Sequence, residues 1–155
     1  MENGFFAEEE FSSLSSNEVE EHVALNPIQQ AIKKETEPLK DGVEYDAVLV
    51  DIEEKTIGGN PTLSYKYMVN DNYEVEDLYF FSGTSTDISV RRLLNTLKKF
   101  GYDLTIESAE YGLTSIVNYT NYLIGSEVKI IQKTRTDSTG SYTNYEIVDV
   151  TKKSN

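Results

Sequence analysis

The sequence predicts a mainly β fold with helices: a five-stranded barrel, a helical insertion between strands 3 and 4, and an acidic N-terminal arm ahead of the barrel. Three observations carry that prediction. Residues 63–81, LSYKYMVNDNYEVEDLYFF, alternate apolar and polar positions on both sides of the break Asn70, Asp71 and Asn72, as a hairpin does. Downstream, Ile88, Val90, Leu93, Leu94, Leu97 and Phe100 recur at helical spacing. Two further alternating runs, residues 127–134 and 142–150, flank the polar turn at 137–140.

At 155 residues the chain is long enough for one domain with a substantial core. It contains no cysteine, so it has no disulfide framework, thiolate metal site or cysteine nucleophile, which suits a reducing cytoplasm. No run approaches the roughly 18 apolar residues of a membrane span, and the acidic start has the wrong sign for a signal peptide. A cytoplasmic protein with no membrane partner is expected. The net charge of −13 repels phosphate at long range, but its distribution is uneven. Residues 1–40 carry nine acids and three lysines, and residues 1–21 carry seven Glu and no basic side chain.

Residues 1–40 therefore read as a largely flexible arm and residues 41–155 as the folded domain. In the arm, Phe5, Phe6 and Phe11 sit among acids, a composition that docks aromatic anchors into a basic partner groove. Ser16 or Asn17 caps one short helix through Leu25, and Pro27 starts another through Lys34; both are marginal if unpacked. The first strand, residues 45–53, has Val48, Val50 and Ile52 on one face and Tyr45, Ala47 and Leu49 on the other. Gly58, Gly59 and Asn60 make the next turn, and the aromatic hairpin follows. Ser85 or Thr86 caps the main helix, Asp87 and the pair Lys98 and Lys99 complement its dipole, and Gly101 stops it. Ile116, Tyr119 and Leu123 allow a second short helix ending at Gly125, with Thr114 as its cap. In the last two strands Val128 and Ile130 oppose Lys129, Ile131, Lys133 and Arg135, and Tyr145, Ile147 and Asp149 oppose Asn144, Glu146, Val148 and Val150.

Three strands, a helical segment and two strands is the layout of an OB-fold; an α+β sandwich is the competing arrangement. Ligands on an OB-fold cross strands two and three between the 1–2 and 4–5 loops, here the 58–60 and 137–140 turns. Tyr65, Tyr67, Tyr79, Phe81 and Tyr142 are then the candidates for stacking bases, and Lys66, Lys129, Lys133 and Arg135, with Arg91 and Arg92, for phosphates. One parity of each strand must face inward, so each aromatic is either core or platform. Leu63, Tyr65, Tyr67 and Val69 share a face and stand or fall together.

Enzymatic machinery is not legible. The single histidine, His22, lies in the arm; Asp51, Glu53 and Glu54 do not converge; and Gly58 and Gly59 lack the GK(S/T) of a phosphate loop. A binding protein with no catalytic residue, cofactor or metal is expected.

The runs GVEYDAVLVDIEEK, GGNPTLSYKYMV, DLYFF, RRLLNTLKKFGYDL, LIGSEVKIIQKT and YTNYEIVDV together resemble the small phage-encoded proteins of OB-type fold that bind single-stranded DNA. The resemblance spans residues 42–152. It implies sequence-tolerant single-stranded DNA binding in phage DNA replication or recombination, often as a homo-oligomer, in the host cytoplasm. The acidic arm then competes with DNA for its own domain's basic face, or recruits replication or recombination proteins. The alternative is an acidic phage inhibitor that mimics DNA and occupies a host nuclease or defence protein, with Asp46, Asp51, Glu53, Glu74, Glu76 and Asp77 as its surface.

Overall fold

A computed structural model describes residues 26–36, 39–83, 85–138 and 140–154. Phe5, Phe6, Phe11, His22 and the helix expected before Leu25 lie outside the described residues. Five strands, β1 (Glu44–Ile57), β2 (Asn60–Val69), β3 (Tyr73–Phe80), β4 (Glu127–Asp137) and β5 (Gly140–Lys152), form one open antiparallel sheet in the order β3-β2-β1-β4-β5. Helix α1 (Pro27–Thr36) precedes them. Between β3 and β4 come α2 (Ser85–Lys99), a 3-10 turn (Glu107–Ala109), α3 (Leu113–Thr120) and a second 3-10 turn (Asn121–Leu123). This is a mainly β architecture with a few helices, compatible with an OB-like fold.

β1 is the organising strand. Residues 47–57 pair with β2, while residues 44–48 pair with β4 on the other side. Gly58 (φ 58°) and Gly59 (φ 82°) turn β1 into β2 as a two-residue hairpin whose positive φ values match the strand twist. A bulge between Leu49 and Asp51 changes the parity expected from strict alternation. Ala47, Leu49 and Ile52 consequently face the core together, against Val69, Tyr67 and Tyr65. Ile52 does not share a face with Val48 and Val50. The β4–β5 ladder repeats the device: its register slips between Lys129 and Ile130, so Tyr145 and Ile147 are buried while Asp149 turns outward.

The core is the inward row Leu63, Tyr65, Tyr67 and Val69, closed by Val75 and Tyr79 from β3, Leu93 and Leu97 from α2, and Val128 and Ile130 from β4. Helix α2 buries Ser89, Leu93, Thr96 and Leu97; the expected core positions Ile88 and Val90 are exposed at its first turns. Its end follows the sequence: Gly101 takes φ 83° and the Tyr102 amide donates back to the Leu97 carbonyl. Helix α1 starts with a reciprocal cap, the Gln29 amide donating to Asn26 Oδ1 at 2.9 Å and the Asn26 amide to Gln29 Oε1 at 3.1 Å. The chain joins the sheet at Leu39, which is buried, and at Asp41, whose carboxylate accepts from Gln132 and Thr134 on β4.

The edges β3 and β5 are not laddered to each other; a buried ion pair links them. Asp77 on β3 has no exposed surface, and both its oxygens accept from Arg92 of α2 at 2.7 Å. Its Oδ1 also accepts the Tyr145 amide of β5 at 3.2 Å. Arg92 donates further to the Leu78 carbonyl and lies 4.5 Å above the Tyr79 ring. One carboxylate and one guanidinium thus join β3, β5 and α2 at a single point.

Candidate functional site

The structure corrects the expected stacking platform. Tyr65, Tyr67 and Tyr79 each have 0% exposure, so their rings have no face to offer a base. Inward parity places them in the core, with the Tyr65 and Tyr79 rings edge to face at 5.6 Å. Burial pushes the pKa of all three phenols above the usual tyrosine value, holding them neutral. Phe81, just past β3, is half-buried against the same core.

The outward face of the hairpin carries charges that satisfy one another. Glu76 accepts from Lys55 at 2.6 Å and from Ser64. Burial pushes the Glu76 carboxyl up, but the hydrogen bonds and charge of its partners more than offset this, and its net shift is downward. Lys66 lies 3.8 Å from Glu53, and Lys129 on β4 pairs with Asp46 at 2.9 Å. Lys55 is half-buried with Glu76, Lys66 lies at the limit of pairing distance and the Lys129–Asp46 pair is exposed, so these lysines are spread over the sheet rather than massed on one surface. Of the acids that DNA mimicry would use, Glu76 is half-buried with Lys55 and Asp77 is fully buried, whereas Asp46 stays 78% exposed.

The remaining candidates converge elsewhere. Lys133 and Arg135 on β4 stand opposite Asn144 and Tyr142 on β5. The Arg135 guanidinium lies 5.4 Å over the half-buried Tyr142 ring. Beside this hairpin a groove of about 250 Å3 runs between α2 and β5, lined by Arg92, Asn95, Thr96 and Lys99 on the helix and by Lys133, Asn144, Tyr145, Glu146 and Ile147 on the strands. Arg92, Lys99 and Lys133 line it; Arg92 is already paired with the buried Asp77, and Lys133 holds the groove's own carboxylate, Glu146, at 2.5 Å. Both partners are more than half exposed, and such pairs are worth about 0–1 kcal/mol, so an incoming phosphate can replace Glu146 at low cost. The floor is fixed, since Arg92 is anchored through Asp77 and Thr96 meets the Tyr79 hydroxyl at 2.9 Å.

Of the eleven sequence candidates, the structure brings Lys133, Arg135 and Tyr142 together and sets Arg92 in the adjoining groove, with Arg91 exposed on α2 outside it. Lys66, Lys129 and Phe81 lie apart, and Tyr65, Tyr67 and Tyr79 are core. Lys99 and Asn95 were missed as site residues because Lys99 reads as dipole compensation at a helix end. The signal was nevertheless present: positions 92, 95, 96 and 99 recur at helical spacing, so they share one face of α2. Among the described residues no cluster of His, Asp or Glu is arranged to hold a metal ion, and no helix is long and apolar enough to cross a membrane. No protein-family model matches the chain, and no curated protein matches it.

Proposed function

We propose that the chain is an OB-like, sequence-tolerant single-stranded DNA-binding protein whose strand-binding surface is the groove between α2 and the β4–β5 hairpin. The observation that carries this reading is the convergence of Arg92, Lys99 and Lys133 on one groove, next to the Arg135–Tyr142 pair. Backbone phosphates follow the cations, and an unpaired base stacks at the hairpin, where guanidinium and ring already form a platform. The OB reading draws support from the sheet order and from the Asp77–Tyr145 contact, which brings β3 and β5 together where such a barrel closes. A phage replication or recombination setting is part of the proposal, on the sequence resemblance alone.

In this reading the acidic residues 1–21, with Phe5, Phe6 and Phe11, compete for the groove or recruit basic replication or recombination proteins. Because Leu39 is buried and Asp41 is bonded to β4, a deletion that tests the arm stops at residue 25. Its removal raises single-strand affinity at low salt.

The experiment is a titration of labelled oligothymidylate with the full chain across a salt series. Binding that weakens as salt rises is expected, with a slope reduced by about 0.7 for each phosphate-contacting lysine replaced. Failure to bind at low salt, with capture of a basic host protein instead, favours the inhibitor.

A further inference from the structure

We propose that the helical insertion carries a second, separate docking surface, for an arginine-rich segment of a partner protein. Tyrosine is the commonest aromatic of this chain, yet only three of its eleven tyrosines are exposed, and all three lie in residues 102–123. Tyr111 is 77% exposed, Tyr119 53% and Tyr122 49%, and Ile106 in the same segment is 90% exposed. The Tyr122 ring lies 6.4 Å from that of Tyr102, which continues the aromatic surface into the loop after α2.

This surface is built on a rigid support. Ser108 and Thr105 cap each other's amides at 3.2 Å, and the Ser108 hydroxyl also meets Tyr102 Oη at 2.8 Å. The Tyr111 amide donates to Ser115 Oγ at 2.7 Å. Ordering tyrosines on a fixed backbone lowers the entropy lost on binding, as expected of an interface rather than of stray surface aromatics.

Charge selects the partner. Residues 102–123 contain Asp103, Glu107 and Glu110 and no lysine or arginine, and all three acids are exposed. A fourth, Glu54 at the far end of β1, is held against α3 by the Thr114 hydroxyl at 2.8 Å. At the edge of this segment the Lys153 amine fills the space beside Gly101. Carboxylates among exposed aromatic faces repel a nucleic-acid backbone and suit guanidinium groups, which stack on tyrosine while pairing with acid. The site shares no residue with the α2–β5 groove and does not depend on what that groove binds.

The test uses a labelled twelve-residue peptide of alternating arginine and glycine, titrated into the full chain. The variants are the double substitution Tyr119→Ala/Tyr122→Ala and, separately, Glu107→Gln/Glu110→Gln; all four side chains are exposed, and thermal melts confirm folding. Each ring is expected to contribute about two- to five-fold in affinity. Both double variants should weaken peptide binding by about four-fold or more while leaving oligothymidylate binding unchanged. Peptide binding that survives both variants but disappears on deletion of residues 1–25 overturns the proposal, since the acidic arm is then the receptor. Loss of a dimer in sedimentation on Tyr119→Ala/Tyr122→Ala also overturns it, in favour of a second copy as occupant. So does weakened oligothymidylate binding in that variant, in favour of base stacking.

Discussion

The two hairpins of this sheet use aromatic side chains in opposite ways. β2–β3 is the more aromatic, yet Tyr65, Tyr67 and Tyr79 are fully buried and the outward lysines are paired with carboxylates. β4–β5 has fewer rings, but Tyr142 lies under Arg135 beside a groove bearing three cations. Aromatic content marks where the core is, whereas cations shared between elements mark where a polyanion can bind. The difference follows from position in the sheet. The rings of β2 project inward from a strand paired on both sides, while β5 ends the ladder order and α2 packs beside it to form a groove.

Substitutions sharpen that contrast. The largest effect is expected at the link between the edges. Asp77→Ala leaves Arg92 without its buried partner and should cost about 3–5 kcal/mol in denaturant unfolding. Tyr65→Ala should cost a similar ~3–5 kcal/mol through its cavity. Arg135→Ala on the other hairpin should stay within about 0.5 kcal/mol of wild type while reducing DNA binding. Tyr67→Phe has the opposite sign: Tyr67 Oη is buried with no hydrogen-bond partner, so removing it should be neutral or stabilising by about 1 kcal/mol in the same assay.

The smallest effect concerns pH. The Glu76 carboxyl is shifted below its usual value of 4.5. Its contribution to stability is therefore present above that value and lost as pH falls through the lowered one. Asp77 runs the other way, because burial outweighs the Arg92 charge and raises its carboxyl. Its contribution is present at low pH and declines as pH rises through the raised value. Glu76→Gln should flatten the acid destabilisation seen in melts as pH falls below the usual value of 4.5. Asp77→Asn should not flatten it.

Much of the fold was legible because its signals were local. Glycine pairs, alternation and the Gly101 stop place the turns, the strands and the end of α2. The bulges at Val50 and Val148 were not, because an extra residue in one strand is visible only against its partner. They moved Ile52 into the core and Asp149 out of it. The site was half legible. Lys133, Arg135 and Tyr142 stand out within one hairpin, but the groove needs α2 packed beside β5, a contact between segments some 50 residues apart. The burial of Tyr65 and Tyr67 was open in the sequence because either parity of an aromatic strand can face inward.

The most direct measurement compares oligothymidylate affinity, by fluorescence anisotropy at low salt, for Lys133→Gln/Arg135→Gln on one hairpin and Lys66→Gln on the other. The groove account predicts about ten-fold weaker binding, ~1.4 kcal/mol, for the first and a change within about two-fold for the second. Undiminished binding by the first variant, with loss in Lys66→Gln, contradicts it and returns the binding face to the aromatic hairpin.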